Sequence, residues 1–115
     1  MHNPFTDEQN EKINTFISLA LEFNKTHNIF SREDNKEVFQ KDILDCYPVT
    51  QFLEKDNTVL DLGSGGGFPG VLLSITNPNN KTYLIESSAK KCYFLRKVAD
   101  KLSLNNTTII NEKIK

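Results

Sequence analysis

The chain has 115 residues, a length that suits one domain with a small hydrophobic core. Its hydrophobic fraction of 37%, charged fraction of 25% and net charge of −1 are ordinary for a globular protein, so the molecule as a whole is not a basic surface for nucleic acid. No apolar run approaches the roughly 18 residues of a membrane span, and the first residues lack the features of a signal peptide. Cys46 and Cys92 are far apart, which favours free thiols in a reducing cytoplasm over a disulfide or a zinc site.

The first part of the chain predicts helices. Thr6 and Gln9 have the spacing of a capping box, and the apolar residues that follow predict a helix from about Asp7 to Asn24. The buried stripe of this helix is expected to consist of Ile13, Phe16, Ile17, Ala20 and Leu21. Residues 25–32 show no clear period and are therefore predicted to be a connection.

A second helix is predicted to begin near Asp34 and Glu37. Its buried stripe is expected to consist of Phe39, Ile43, Cys46 and Tyr47. Pro48 is expected to end this helix or to open a short new one that runs through Leu53. Residues 1–56 are thus predicted to form an N-terminal helical extension that packs against one face of a sheet.

Strand and helix patterns alternate in residues 57–115. The predicted strands are Thr58–Leu62, Lys81–Glu86 and Thr107–Asn111. A short helix is expected from about Pro69 to Ile75, and Ser88 is expected to cap a longer one. The buried stripe of that longer helix is expected to consist of Cys92, Leu95, Ala99 and Leu102. This order is typical of an open parallel α/β sheet, so these residues predict the first half of a Rossmann-like domain with three parallel strands.

All five glycines lie between Gly63 and Gly70, directly after the first predicted strand. Glycine permits a positive φ and lets a ligand approach the backbone closely. Asp61-x-Gly63-x-Gly65-x-Gly67 is the acidic, glycine-rich pattern of S-adenosylmethionine enzymes, whereas Gly65-x-Gly67-x-x-Gly70 fits the dinucleotide fingerprint. Because Asp61 would repel a pyrophosphate but can face an ammonium group directly or through water, it favours the methionine-bearing cofactor.

An acidic residue also ends the second predicted strand. Glu86 stands 19 residues after Gly67, close to the spacing of about 20 residues at which an acid accepts hydrogen bonds from ribose hydroxyls. Both cofactor types carry that ribose, so Glu86 supports a nucleotide-type site without discriminating between them. A fragment that binds an NAD-type dinucleotide therefore stays open as an alternative.

Charge is distributed unevenly along the chain. Residues 1–80 carry 6 Lys/Arg and 12 Asp/Glu, whereas residues 81–115 carry 8 Lys/Arg and 3 Asp/Glu. Lys90, Lys97 and Lys101 fall near one face of the predicted helix, opposite its apolar stripe, where they could contact RNA phosphates. An ordinary solvated helix face is an equally good interpretation.

Residues 61–70 read Asp-Leu-Gly-Ser-Gly-Gly-Gly-Phe-Pro-Gly, and residues 87–96 read Ser-Ser-Ala-Lys-Lys-Cys-Tyr-Phe-Leu-Arg. These stretches resemble the ribosomal RNA small subunit methyltransferase G family, also called glucose-inhibited division protein B. The Phe-Pro-Gly ending and the Lys-Lys-x-x-Phe-Leu-Arg run are more specific than the glycine turn alone. Residues 23–28 and 41–45 are also similar to N-terminal blocks of the family, so the resemblance spans most of the chain.

The resemblance implies methyl transfer from S-adenosyl-L-methionine to N7 of one guanine in bacterial 16S ribosomal RNA, on the small ribosomal subunit in the cytoplasm. It also implies that Gly63 and Phe68 contact the cofactor and that Ile114 and Lys115 flank its adenine. With the pattern-based residues included, the predicted cofactor-binding residues are Asp61, Gly63, Gly65, Gly67, Phe68, Glu86, Ile114 and Lys115. Guanine N7 is already a nucleophile, so no catalytic acid, base or metal is predicted and positioning is expected to suffice.

The sequence departs from the family pattern at several points. Asp42 stands where the family has His, Ile29 and Phe30 replace a Leu-Thr pair, and Lys115 replaces an acid. The family's catalytic domain also continues through four more strands, so the chain is expected to be a C-terminally truncated member that is inactive alone. A non-catalytic RNA-binding remnant is the alternative from another functional class.

Overall fold

The computed structural model describes residues 3–30, 35–63 and 69–113. Within them the elements are, in chain order, α1 (Asp7–His27), α2 (Lys36–Thr50), β1 (Val59–Leu62), α3 (Gly70–Thr76), β2 (Thr82–Glu86), α4 (Ala89–Lys101) and β3 (Thr107–Asn111). The predicted alternation of strand and helix is therefore confirmed. None of the helices in these ranges is long and apolar enough to cross a membrane.

Helix α1 begins with the predicted capping box. The Thr6 hydroxyl accepts a hydrogen bond from the Gln9 N–H at 3.1 Å, and the Gln9 side chain accepts one from the Thr6 N–H at 3.0 Å. The predicted end at Asn24 was wrong, because the helix continues to His27 and stops where Asn28 adopts a left-handed conformation with φ 56°. Phe23 extends the buried face of this helix by one turn and is itself buried.

Helix α2 begins after Asn35, whose side chain accepts a hydrogen bond from the Val38 N–H at 3.0 Å. Asp34, the expected start, lies outside the described residues. Pro48 neither ends the helix nor opens another, because it lies within the last turn of α2. There the ring removes a single N–H donor, and the Thr50 hydroxyl donates to the Tyr47 carbonyl at 2.6 Å.

The sheet is parallel, as predicted, with the strand order β1-β2-β3. Leu60 of β1 pairs with Tyr83 of β2, which pairs in turn with Thr108 of β3. The first two strands and α3 begin one residue later than expected, whereas β3 has the expected bounds. Ser88 caps α4 as predicted, since its hydroxyl accepts a hydrogen bond from the Lys91 N–H at 3.3 Å.

One hydrophobic core joins all four helices to the sheet. Some residues that the predicted stripes omitted are buried: Phe23, Phe94 and Val98. Others that the stripes included are only partly buried: Leu21, Cys46, Tyr47 and Ala99. The difference arises because α4 packs against both β3 and α1, so its buried face is wider than a single stripe.

The two faces of the sheet differ in how they are covered. Val59, Thr82 and Leu84 are buried beneath the helices. Leu60 and Leu62 point to the other face and are 63% and 58% exposed. Successive strand residues alternate between faces, so the described helices cover one face of a sheet whose other face is apolar at β1.

Candidate cofactor site

The carboxyl ends of the three strands border an open groove of about 360 Å³. Its lining residues are Leu62, Gly63, Ile85, Ser87, Glu112 and Lys113. Open α/β sheets bind their ligands outside the carboxyl ends of the strands. The groove therefore lies where the sequence predicts a cofactor site, and we call it the strand-end groove.

Gly63 closes β1 and enters the glycine-rich turn with φ 72°, a left-handed conformation that other residues rarely adopt. Its N–H donates a hydrogen bond to the Ile85 carbonyl at 2.7 Å, which ties the turn to β2. A Cβ at this position would meet no atom of the described residues within 4 Å. Backbone conformation, rather than a collision with a described neighbour, therefore favours glycine here.

Asp61 lies on the helix-covered side of β1 and is partly buried. Its carboxylate accepts a hydrogen bond from the Gly70 N–H at 3.0 Å. A Cβ on Gly70 would collide with the side chains of Asp61 and Leu84. Asp61 thus joins β1 to the start of α3, a structural role that the sequence reasoning missed. The available signal was Gly70 itself, since the third glycine of the dinucleotide fingerprint permits close packing of helix on strand.

Glu86 ends β2 and is only 6% exposed. Its Oε2 accepts hydrogen bonds from the Ser88 N–H at 2.6 Å and from the Ser87 hydroxyl at 3.5 Å. The carboxylate therefore lies at the N-terminus of α4, where the helix dipole stabilises a negative charge. Ile85 and Ser87, on either side of it in the chain, line the strand-end groove, so contact of Glu86 with a ribose stays a prediction.

Residues after β2 and β3 complete the groove, and the sequence reasoning did not single them out. The Asn111 amide donates hydrogen bonds to the carbonyls of Glu86 and Ser87, both at 3.2 Å. The Glu112 N–H donates to the Glu86 carbonyl at 3.1 Å. These bonds hold the end of β3 beside the end of β2. Position directly after a parallel strand was the signal that could have found Ser87, Glu112 and Lys113.

Several predicted cofactor residues lie outside the described part of the chain: Gly65, Gly67, Phe68, Ile114 and Lys115. Asp61, Gly63 and Glu86 are described, and all three belong to the carboxyl-terminal half of their strands or directly follow it. In the ranges that the structure describes, no cluster of three or more His, Cys, Asp or Glu side chains could hold a metal ion.

The three predicted RNA-facing lysines are exposed on α4 but have different surroundings. The Lys90 ammonium donates a hydrogen bond to the His27 carbonyl at 3.0 Å. Lys97 lines a groove between α1 and α4. Lys101 lies in a separate depression lined also by Glu8 and Glu11. They therefore do not form one uniform cationic patch.

Two positions that depart from the family pattern have structural consequences. The Phe30 ring packs edge-on against Phe39 and Phe94, with ring centroids 5.2 and 5.6 Å apart. Burial raises the pKa of the Cys46 thiol above its ordinary value, and the negative charges of Asp42 and Asp45 raise it further. Phe30 therefore contributes to the core, and Asp42 contributes to keeping Cys46 protonated.

A family model described as GidB, rRNA small subunit methyltransferase G, matches residues 9–115. Relatives with the name "Ribosomal RNA small subunit methyltransferase G" include one from Pseudomonas putida strain F1, 34% identical over 110 residues, which covers 95% of this chain and 51% of that relative. One from Rickettsia bellii is 40% identical over 105 residues and covers 90% of this chain and 54% of the relative. One from Mycoplasma mycoides subsp. mycoides SC is 38% identical over 107 residues, with coverage of 92% and 78%. The chain thus spans about half the length of the first two relatives.

Solved methyltransferase structures share the fold. Coclaurine N-methyltransferase, determined with N-methylheliamine and SAH, superposes with a TM-score of 0.58 at 17% identity, over 97% of this chain and 41% of that one. Precorrin-6y C5,15-methyltransferase from Geobacter metallireducens superposes with a TM-score of 0.54 at 19% identity, over 71% of this chain and 42% of that one. The described residues therefore have an α/β Rossmann-like fold.

Proposed function

Because this chain belongs to the family of rRNA small subunit methyltransferase G, we propose that it binds S-adenosyl-L-methionine and serves in methyl transfer to N7 of a guanine in 16S ribosomal RNA. The proposed site of the reaction is the small ribosomal subunit in the bacterial cytoplasm. Residues 57–115 are proposed to be the first half of the Rossmann-like methyltransferase domain, and residues 1–56 its N-terminal helical extension.

The observation that carries the proposal is the geometry at the end of β1. Gly63 turns the backbone with φ 72° at the strand-end groove, and no atom of the described residues lies within 4 Å of the position of its missing Cβ. Asp61 precedes it by two residues, and its carboxylate accepts a hydrogen bond from the Gly70 N–H at the start of α3. An ammonium group is attracted to this acid, whereas a pyrophosphate would be repelled. This geometry supports the methionine-bearing cofactor over a dinucleotide.

The cofactor would supply the electrophile, a methyl group on a sulfonium. The chain would bind and orient it: the Gly63 turn leaves room for the ligand, Asp61 offers a negative charge, and Ser87 with Lys113 borders the groove. Guanine N7 has an available lone pair, so the protein needs to align the two reacting atoms rather than to move a proton. No described residue is assigned as a general acid or base.

The second candidate is an RNA-binding protein of this fold without turnover. It is favoured by one observation, the exposed Leu60 and Leu62 on the open face of the sheet. The described residues would contact a cofactor beside that face on one side only, which would lower its affinity. Retention of RNA binding together with loss of methyl transfer would characterise this candidate.

Calorimetry with S-adenosylhomocysteine and with NAD tests the cofactor. We expect S-adenosylhomocysteine to bind, NAD to fail, and Gly65→Val to abolish binding while the helical signal in circular dichroism persists. Preference for NAD, or an unchanged affinity in the variant, would reject the assignment.

A methylation assay on small ribosomal subunits that lack the N7 methyl group tests the reaction. Transfer of labelled methyl groups to guanine N7 supports methylation by this chain. Binding of S-adenosylhomocysteine and RNA without transfer supports the second candidate.

A further inference from the structure

A second groove, of about 290 Å³, lies between α1 and α4, and none of its described lining residues belongs to the strand-end groove. We call it the α1–α4 groove. The residues that matter for its chemistry are Glu22, Phe23, His27, Tyr93 and Lys97. The cofactor assignment uses none of them.

Aromatic rings line much of this groove: those of Phe23, His27, Tyr93 and Phe94. The ring of Phe23 stacks on that of His27, with centroids 3.9 Å apart and planes 3° apart. The ring centroid of Phe23 also lies 5.9 Å from that of Tyr93 and 5.2 Å from that of Phe94. Phe23 and Phe94 are buried, whereas Tyr93 is 58% exposed. The groove therefore offers a preformed aromatic surface with one ring open to a flat ligand, and nucleobases stack on such rings.

Positive charge flanks the exposed ring. Lys90, Tyr93 and Lys97 recur at intervals of three and four residues, which places them on one face of α4. The Lys90 ammonium donates to the His27 carbonyl at 3.0 Å, so it is positioned beside the C-terminus of α1. Lysine has three N–H donors, so this bond leaves donors for a phosphate. An aromatic ring between two lysines suits a nucleotide, because the flat base can stack on the ring and the negatively charged phosphates can contact the lysines.

One acid, Glu22, lines the groove with the aromatic residues. The Glu22 carboxylate is negatively charged, so it would repel a phosphate. A carboxylate only accepts hydrogen bonds, so it suits the amino group of a base. The groove thus combines a carboxylate that accepts N–H donors, at Glu22, with a cation that attracts anions, at Lys97. This combination argues against a simple anion site.

We propose that the α1–α4 groove binds one unpaired nucleotide of RNA, with the base against Tyr93, its amino edge toward Glu22 and the adjacent phosphates at Lys90 and Lys97. The choice of RNA as the ligand rests on the proposed function. Bases of a duplex are stacked on one another and cannot enter such a groove, whereas splayed bases of loops and single strands can. The groove would therefore hold a single-stranded part of the substrate, apart from the strand-end groove.

Fluorescence anisotropy with a labelled single-stranded RNA of about 10 nucleotides tests the proposal, since single-strand sites span about 4–16 nucleotides. Tyr93→Ala should weaken binding by about 5- to 150-fold, the range for loss of one base stack. Tyr93→Phe, which keeps the ring, should bind like the parent chain. Phe52→Ala is the matched control, because Phe52 is 81% exposed and does not line the groove, and it should leave binding unchanged.

A second variant keeps the test independent of the folding of Tyr93→Ala. Lys97→Gln should reduce the slope of log affinity against log salt by about 0.7 for one lost single-strand phosphate contact. Circular dichroism of all variants checks that the helices are retained. A duplex of the same sequence should bind more weakly than the single strand.

Four results would overturn the proposal: no RNA binding by the parent chain, equal effects of Tyr93→Ala and Phe52→Ala, equal affinity for duplex and single strand, or displacement of RNA by polyglutamate at equal charge. The last result would identify a general polyanion or acidic-protein surface. RNA binding and cofactor binding are measured separately. Loss of RNA binding in Tyr93→Ala with unchanged S-adenosylhomocysteine affinity supports the groove, and failure of S-adenosylhomocysteine to bind the parent chain rejects the proposed function alone.

Discussion

The carboxylate of Asp61 on β1 accepts a hydrogen bond from the backbone N–H of Gly70, the first residue of α3, at 3.0 Å. The two residues are nine positions apart, and the whole glycine-rich turn lies between them. The bond therefore fixes the distance between the two ends of that turn. One acid thus has two assignments, a structural one that the geometry shows and a cofactor contact that is proposed.

Gly70→Ala should destabilise the fold through a collision. Its Cβ would overlap the side chains of Asp61 and Leu84, so we expect a loss of about 1–3 kcal/mol in the free energy of unfolding. Gly63→Ala should cost about 1–2 kcal/mol for a different reason, the left-handed φ, since no atom of the described residues lies within 4 Å of its Cβ position. Urea titration measures both. Shortening Leu84 to Ala should partly offset Gly70→Ala and not Gly63→Ala; equal effects on both would contradict the collision.

Asp61→Asn should separate the two assignments of this residue. The Asn side-chain oxygen can still accept the Gly70 N–H, so we expect only a small change in thermal unfolding. Removal of the charge should weaken S-adenosylhomocysteine binding by about 1.5–3 kcal/mol if Asp61 contacts the ammonium group. Calorimetry at constant ionic strength provides the measurement. A large loss of stability with unchanged affinity would show that Asp61 acts on structure alone.

The lysines of α4 should contribute unequally to RNA binding. Replacing Lys90, Lys97 and Lys101 together with Glu should weaken binding and reduce its salt dependence. Lys101→Gln alone should have the smallest effect, because two acids, Glu8 and Glu11, line the depression that contains Lys101 and Lys12. Salt titrations of filter binding give the slopes. Equal slopes for the parent and the triple variant would indicate that these lysines belong to an ordinary solvated helix face and do not contact RNA.

The open face of the sheet should promote association. Leu60 and Leu62 are 63% and 58% exposed on β1, which is an edge strand in the described sheet. Exposed apolar edge strands pair with other chains. Leu60→Lys with Leu62→Thr should therefore reduce concentration-dependent association, measured by sedimentation velocity. Phe52→Ser is the control for a single exposed ring, and a similar effect from that substitution would indicate general surface stickiness.

Cys46 should react slowly with iodoacetamide at neutral pH. Burial, and then Asp42 and Asp45, raise the pKa of its thiol, so the reactive thiolate is scarce until the pH exceeds the ordinary thiol value. Asp42→Asn with Asp45→Asn should lower this pKa and speed alkylation at a given pH, while burial keeps it above that of a free thiol. Mass spectrometry of the labelled chain over a pH series follows the reaction, with buried Cys92 as the internal reference. Equal alkylation rates of Cys46 in the parent chain and in the double variant at each pH would exclude the charge effect.

Local patterns determined much of this protein before any tertiary contact was known. The Thr6 and Ser88 caps depend on residues within one helical turn, and the sequence shows both. The three strands follow from short β-branched and apolar runs, and their parallel order follows from the helices between them. The glycine-rich turn after β1 predicted a site at the strand ends, because a simple turn does not require so many glycines, and this site stays a prediction.

Only the tertiary structure decided how distant segments meet. The Lys90 side chain reaches the His27 carbonyl 63 residues away, and Phe23 of α1 packs on Phe94 of α4. No periodicity within either helix specifies such pairs, because they depend on how the helices cross. Packing also decided which face of β1 the helices cover, since Val59 is buried whereas Leu60 is 63% exposed. Sequence determined the local elements through short-range hydrogen bonds and steric limits, and packing between elements decided which side chains line a groove.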